Sequence, residues 1–360
     1  MHSQRAPRFP ELDRSKGFAI LLVVCIHAKV FEGFLFDEYA VNRAVPIFLV
    51  LFGATSELWW RTHTLGGLRL QLALWYRKRL LRLLPPVWAA TAVWWLVAWL
   101  TLAIPWSESL GAFLSSFVGY CPGMGTSWFV FLILQLILLF PLIHYAASKS
   151  LILVVAAAGV VSTVSVWHTW DTIAVGLRLL GDRVPGGGFY YQWIFAPRTF
   201  WHVAVGIALA RWLGRIGRLV VVTCIALVMA EPTLVAFVRT ASDAVFVGPL
   251  RQEIAMLFFD VPLAIGLLGI FQWAQLPKPV GRFLEWAGGA SWGIYVGHAL
   301  VHEIVHVLGY EPEAASRMYR GAYAAMLLAC GVSMTLVARA FGTTRRRSRG
   351  FAVAELSGGG

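Results

Sequence analysis

Long apolar runs alternate with short polar segments along the whole chain. A helix needs roughly 20 apolar residues to cross the hydrocarbon core of a bilayer, and ten runs approach that length. They cover residues 17–36, 44–60, 83–104, 128–147, 150–167, 199–214, 219–238, 254–274, 286–308 and 319–341. The pattern predicts an all-α protein, a polytopic membrane helix bundle of about ten transmembrane helices.

The composition also indicates a membrane protein. Charged residues make up 13% of the chain and hydrophobic residues 59%, whereas soluble domains carry roughly 25% charged residues. Disordered chains combine low hydrophobicity with high charge, so that class is excluded as well. We therefore expect a lipid bilayer around most of the surface.

The basic residues indicate the orientation of the helices. The formal net charge is +12, and the Lys and Arg residues recur between apolar runs instead of forming one stripe. Such a bias marks cytoplasmic segments, so we predict that both termini are cytoplasmic and that no nucleic acid is bound. We divide the chain into a cytoplasmic segment (1–16), a transmembrane domain (17–341) and a basic, then Gly-rich, cytoplasmic tail (342–360).

The first apolar run contains an ionisable side chain, His27, which is unfavourable in the apolar interior of a membrane. An ionisable residue midway through a span usually faces an interior or a pathway. Lys16 precedes it by eleven residues, which corresponds to about 20° past three helical turns and about 16 Å along the axis. Both side chains should share one helix face, with a cation at the cytoplasmic mouth and a titratable base deeper in the membrane. The alternative is a histidine that only hydrogen-bonds a neighbouring helix.

Six short motifs follow one another in the order of a known family. They are Lys16-x10-His27, Pro46-Ile47-Phe48-Leu49-Val50-Leu51-Phe52-Gly53, Arg79-x-x-Arg82-x-x-Pro85, Trp128-Phe129 with Leu138-Leu139-Phe140-Pro141-Leu142, Arg198 followed by Gly206, and Ser291-x-x-Ile294-Tyr295-x-x-His298. With these motifs the chain resembles the acyltransferase-3 family of membrane O-acyltransferases over residues 11 to about 340. Many members have a Glu-Glu pair in the fourth span, where this chain has Leu134-Gln135-Leu136. In this respect it is similar to the stand-alone, sugar-acetylating branch.

The resemblance implies an activity and a donor. The protein would be an O-acyltransferase, in the first instance an O-acetyltransferase, that uses acetyl-CoA or another acyl-CoA from the cytoplasm. The acceptor would be a hydroxyl group of a glycan, a sugar or a lipid-linked molecule. Acyl-CoA is a substrate here, and neither a bound cofactor nor a metal is implied. We expect a multi-pass protein of the cytoplasmic (inner) membrane, and the Arg- and Ala-rich composition points to a bacterium.

The resemblance also implies roles for the matching residues. His27 is the expected catalytic base, because a neutral imidazole can take the proton of a hydroxyl group. Lys16, Arg79 and Arg82 are the expected acyl-donor site, since such side chains bind phosphate groups. His298 is a second candidate, for acceptor binding or for the catalytic cluster. The supporting positions are Asp13, Glu57, Trp128, Arg198 and Tyr295.

Two of these assignments have simpler alternatives. Arg79 and Arg82 belong to a basic cluster with Arg77 and Lys78, and such clusters also set topology and contact anionic lipid. His298 could equally be a packed, hydrogen-bonded core histidine.

Two acidic residues have alternatives as well. Asp13 either orients Lys16 or caps the first helix, since Asp is a favoured N-cap residue. Glu57 and Arg61 are four residues apart, so a plain i,i+4 ion pair is favoured over a carboxylate near the donor site.

Two other functions remain open. His302-Glu303-Ile304-Val305-His306 is a literal H-E-x-x-H, which on a helix can bind zinc with Glu303 as base. An intramembrane zinc protease is a minor alternative, because no Asp-Gly pair supplies a third ligand. A polytopic transporter or flippase of a glycan or lipid precursor is the other, and inverted-repeat symmetry, which would favour it, is not evident.

Overall fold

The computed structural model describes residues 9–30, 44–63, 67–102, 128–180, 196–241, 259–309 and 318–336. Within these ranges the chain forms ten α-helices, one short 3₁₀-helix and no strand. The α-helices are α1 (Pro10–His27), α2 (Ala44–Thr62), α3 (Leu68–Leu102), α4 (Trp128–Lys149), α5 (Leu151–Leu180), α6 (Phe200–Leu209), α7 (Arg218–Ala241), α8 (Val261–Trp273), α9 (Lys278–Val307) and α10 (318–336), and the 3₁₀-helix is Ala196–Thr199. The predicted all-α helix bundle is confirmed.

Several helices turn apolar side chains outward. Leu100, Ile152 and Leu219 are more than three-quarters exposed, which is typical of a surface that contacts lipid. By length and composition, the described part holds two helical segments apolar enough to cross a membrane, Leu68–Thr101 and Trp128–Lys149. α1 falls outside this set because its first turns carry four charged residues.

α1 differs from its predicted extent at both ends. It begins before the apolar run 17–36 and ends within it, at His27. The helix ends there because Lys29 has a left-handed backbone with φ of 50°. The amide of Val30 then donates to the carbonyl of Cys25, a pattern that closes helix C-termini. His27 is therefore the last residue of α1, and its predicted position midway through a span is wrong.

α3 is longer than predicted at its N-terminal end. The apolar run 83–104 predicts a start near residue 83, but the helix begins at Leu68. Leu, Arg, Lys and Gln are good helix formers, so the basic segment before the run continues the helix. As a result Arg79 and Arg82 lie one turn apart on one face of α3.

α1 and α9 pack closely against each other. Gly17 lies against the backbone carbonyl of Leu284, and Gly288 against that of Asp13, so a methyl group at either glycine would overlap the partner's backbone. Small residues permit such close helix contacts in membrane proteins. This contact, which we call the α1–α9 seam, fixes the polar residues of α1 relative to those of α9.

Candidate active site

A cavity lies between α1, α2, α3, α4 and α9. Its empty volume is about 800 Å³, including its open mouth. Lys16, Arg79 and Arg82 line one part of it, apolar side chains of α2 and α4 line the middle, and Trp292 and Tyr295 of α9 line a further part. Helices that are far apart in the sequence thus place three cations around one space.

We call Lys16, Arg79 and Arg82 the basic end of the cavity. The Lys16 ammonium lies 3.6 Å from a carboxylate oxygen of Asp13, and Arg82 donates to the carbonyl of Gly289 over 3.4 Å. The lining residues within the described ranges include no carboxylate. The electrostatics of this end therefore favour an anionic ligand.

Arg79 is held by neighbours on two helices. Its guanidinium donates to the hydroxyl of Ser56 in α2 over 3.3 Å. It also lies 4.5 Å from the ring centre of Trp75, one turn earlier in α3, in a cation–π contact. Both contacts leave it among the residues that line the cavity, so its charge is fixed in place and still faces the open space.

The middle of the cavity is apolar and aromatic. Phe48 and Phe52 of α2 and Phe129 of α4 line it. The Tyr295 ring lies 5.1 Å from that of Phe129 and is stacked 5.8 Å from that of Trp292. Such walls suit an uncharged, extended group and exclude water from it.

Three imidazoles lie behind Tyr295, and we call them the histidine end. The ring centre of His27 is 5.0 Å from that of His298 and 4.7 Å from that of His302. His298 is fully buried, and its Nδ1 lies 3.3 Å from the carbonyl of Ile294. Its Nε2 has no hydrogen-bond partner among the residues the structure describes, so the packed, hydrogen-bonded alternative accounts for one of its two nitrogens.

The two ends are joined by α1 and separated by Tyr295. Lys16 lines the cavity, and the His27 ring contacts that of His298 in α9. His27 and His298 do not themselves line the cavity. The Tyr295 ring lines it and contacts the His298 ring at 5.1 Å. The Tyr295 ring therefore lies between the cavity and the imidazole of His298.

A family model described as an acyltransferase domain matches residues 9–349. The chain belongs to the acyltransferase-3 family. The match covers nearly the whole chain and confirms the family that the six motifs indicate. Because this family is membrane-embedded, the protein is a membrane acyltransferase. No curated protein and no solved structure matches the chain significantly.

In this acyltransferase Asp13 does not cap the first helix. α1 begins at Pro10, with Phe9 at the N-cap position, so Asp13 already lies in the first turn of the helix. Its carboxylate instead lies one turn from Lys16 and contacts the ammonium group. Of the two alternatives for Asp13, the structure therefore contradicts capping.

Glu57 does not form the predicted i,i+4 pair with Arg61. Its carboxylate is buried and accepts a hydrogen bond from Nδ1 of His144 in α4 over 2.6 Å, whereas Arg61 is exposed. A buried carboxylate requires a polar partner, and a neighbouring helix supplies one that local spacing does not reveal. The predicted pair is therefore wrong. Glu57 follows Ser56, the hydroxyl partner of Arg79.

Trp128 and Arg198 lie outside the cavity. The Trp128 ring contacts that of Phe129 at 5.8 Å, so Trp128 supports the wall without lining it. Arg198 is buried in the 3₁₀-helix, where the charge of Asp260 acts on it. The carboxylate of Asp260 in turn lies 3.3 Å from Nε2 of His202. Arg198 thus belongs to a second buried polar cluster.

The two histidines of the H-E-x-x-H segment have different surroundings. Nδ1 of His302 lies 2.9 Å from the hydroxyl of Tyr323 in α10, whereas His306 is exposed. Over the described ranges, no group of three or more His, Cys, Asp or Glu residues is arranged to hold a metal ion.

The structure gives His302 a different place from the one considered in the sequence and adds two residues that the sequence did not single out. His302, which stood out in the sequence only as part of the H-E-x-x-H segment, joins the histidine end, and its i,i+4 spacing from His298, a signal in the sequence, places both on one helix face. Tyr323 and His144 had no such signal. Their partners lie on other helices, and pairing of that kind leaves no regular spacing in the sequence.

Proposed function

We propose that this membrane acyltransferase moves an acyl group, in the first instance acetyl, from acyl-CoA to a hydroxyl group of a glycan, a sugar or a lipid-linked acceptor. One observation carries the proposal. A single cavity has three cations at one end and an apolar, aromatic wall, and the Tyr295 ring of that wall contacts His298, one of three clustered imidazoles. The arrangement matches a donor that is polyanionic at one end and acylated at the other.

The basic end supports coenzyme A as the donor. Arg guanidinium groups bind phosphate oxygens with two parallel hydrogen bonds, and Arg79 and Arg82 lie one turn apart beside Lys16. The apolar middle of the cavity then accommodates the uncharged arm that carries the thioester. In this proposal the donor enters from the cytoplasmic side, in agreement with the orientation that the basic residues predict.

The histidine end supports proton transfer. In the proposed reaction, a nitrogen of His27 takes the proton of the acceptor hydroxyl. The oxygen attacks the thioester carbonyl, the new C–O ester bond forms, and the C–S bond breaks. The coenzyme A thiolate leaves and takes up a proton, so that His27 returns to its neutral form. The Tyr295 ring turns aside in this step, because it stands between the cavity and the imidazoles.

The experiment that tests the proposal uses the purified protein in lipid vesicles. Acetyl-CoA labelled in its acetyl group is added together with membrane glycans from cells that lack the protein. We expect release of coenzyme A thiol and, in equal amount, label in the glycan fraction that mild hydroxide removes, as for an O-ester. Passage of glycan across the vesicle membrane without thiol release would instead support a transporter and contradict the proposal.

A further inference from the structure

The end of α1 is held by a buried arginine of α10. Lys29 follows His27 by two residues and has the left-handed backbone that closes the helix. Carbonyl groups at a helix C-terminus lack partners within the helix. Arg320, which is 7% exposed, donates to the carbonyl of Lys29 over 3.2 Å. Because a left-handed conformation is unfavourable for a side chain such as lysine, this bond stabilises the turn that directs His27.

A second contact from α10 reaches His27 through His302. Tyr323 lies one turn after Arg320 and is 4% exposed. Its hydroxyl lies 2.9 Å from Nδ1 of His302. The hydrogen bond fixes the orientation of the His302 ring, against which the His27 ring packs at 4.7 Å. The imidazole of His27 is therefore supported from one side by a ring that cannot turn freely.

α10 itself is docked firmly on α9. Gly331 lies so close to Ile294 and Gly297 that an added methyl group would overlap the backbone of α9, and Thr335 donates to the carbonyl of Ala290 over 3.3 Å. No residue of 318–336 lines the cavity. Groups on α10 are therefore placed to act on the imidazoles and not on a donor in the cavity.

We infer that Arg320 and Tyr323 are positioning residues that hold His27 in its working orientation. The inference rests on the proposed function, in which His27 is the base. A displacement of about 1 Å at a reacting group can cost on the order of 100-fold in rate, so even a modest loosening of the end of α1 should be measurable. Because neither residue reaches the cavity, the effect should fall on kcat and not on the KM for the donor.

The first test removes one oxygen atom. Tyr323→Phe keeps the buried ring and loses the hydroxyl, and we expect kcat for acetyl transfer to fall about 10-fold, with the KM for acetyl-CoA unchanged. The matched control is Tyr319→Phe, since Tyr319 lies on the same helix and is 61% exposed. An unchanged kcat in Tyr323→Phe, or an equal loss in both variants, would overturn the inference.

The second test distinguishes a positioning role of Arg320 from a general role in folding. Arg320→Met removes the donor to Lys29, whereas Arg320→Lys keeps a donor on a similar stem. We expect the methionine variant to lose about 10-fold in kcat and the lysine variant to recover part of that loss, at equal amounts of folded protein in the membrane. Equal kcat values in the two variants would count against a positioning role for Arg320.

A third measurement does not depend on enzymatic activity. Diethyl pyrocarbonate modifies neutral, accessible imidazoles, and mass spectrometry of the digested protein follows the modification of His27. We expect a faster reaction of His27 in Tyr323→Phe than in the native protein or in Tyr319→Phe. An unchanged rate overturns the inference, whereas absence of acetyl transfer by the native protein contradicts the proposed function alone.

Discussion

The basic end and the histidine end of the molecule share helix α1 but differ in their other helices and in their physical character. At the basic end, the cations of α1 and α3 line an open cavity, and the lining residues described include no carboxylate, although Asp13 contacts Lys16 from beside it. At the histidine end, three imidazoles and a tyrosine of α1, α9 and α10 lie behind an aromatic wall. The first arrangement favours an anionic ligand, and the second places the imidazoles apart from the three cations of the basic end.

The two ends are well separated along α1. Lys16 and His27 lie eleven residues apart on α1, about 16 Å along its axis. In the proposed function, this distance lets substitutions change donor binding at one end and acyl transfer at the other independently. The following predictions test that independence.

The largest effect is expected at the histidine end. His27→Ala removes the proposed base, and a positioned general base contributes about 100- to 10,000-fold to a rate. We expect kcat for acetyl transfer to membrane glycan to fall by that factor, with normal insertion of the protein. His306→Ala is the matched control, because His306 is exposed at the end of α9. Full activity of His27→Ala would remove His27 from the mechanism.

A smaller effect, on binding, is expected at the basic end. Hydrogen bonds to charged groups contribute about 1.5–3 kcal/mol, so Arg79→Ala and Arg82→Ala should each raise the KM for acetyl-CoA roughly 10- to 100-fold. Arg77→Ala is the control, since Arg77 is exposed on the same helix and does not line the cavity.

The same variants can be compared with a donor that lacks the nucleotide. Acetyl-pantetheine carries no phosphate groups, so its KM should be nearly equal in the native protein and in Arg82→Ala. A KM for acetyl-CoA that does not respond to either arginine would show that these cations serve topology or lipid contact. In that case the two ends would differ in structure, but the basic end would not be the binding site of the donor.

The smallest effect is expected at the α1–α9 seam, which joins the two ends. Gly288→Ala places a methyl group against the backbone of Asp13, and overpacking costs about 1–3 kcal/mol of the free energy of unfolding. Gly289→Ala is the control, because an added methyl group there meets open space. Thermal unfolding in detergent should show a lower Tm for Gly288→Ala only. Equal Tm values would mean that α1 and α9 can move apart to accommodate the methyl group without loss of stability.

Part of the candidate site follows from local spacing. The Lys16–His27 face and the Arg79–Arg82 turn depend on positions within single helices, and helical geometry places them without knowledge of the neighbours. The position of His27 at the end of α1 does not follow in this way. The apolar run continues past it, and the left-handed turn at Lys29 gives no hydropathy signal.

What the sequence by itself determined is the class of the molecule. Apolar runs, scarce charges and six ordered motifs identify a helical membrane acyltransferase and the cations and histidines of its candidate site. The tertiary structure alone decided which polar groups meet. It pairs Glu57 with His144 instead of Arg61, and it brings the Tyr323 hydroxyl within hydrogen-bond distance of His302. Hydropathy and helical periodicity are properties of neighbouring residues, whereas these contacts depend on how separate helices pack.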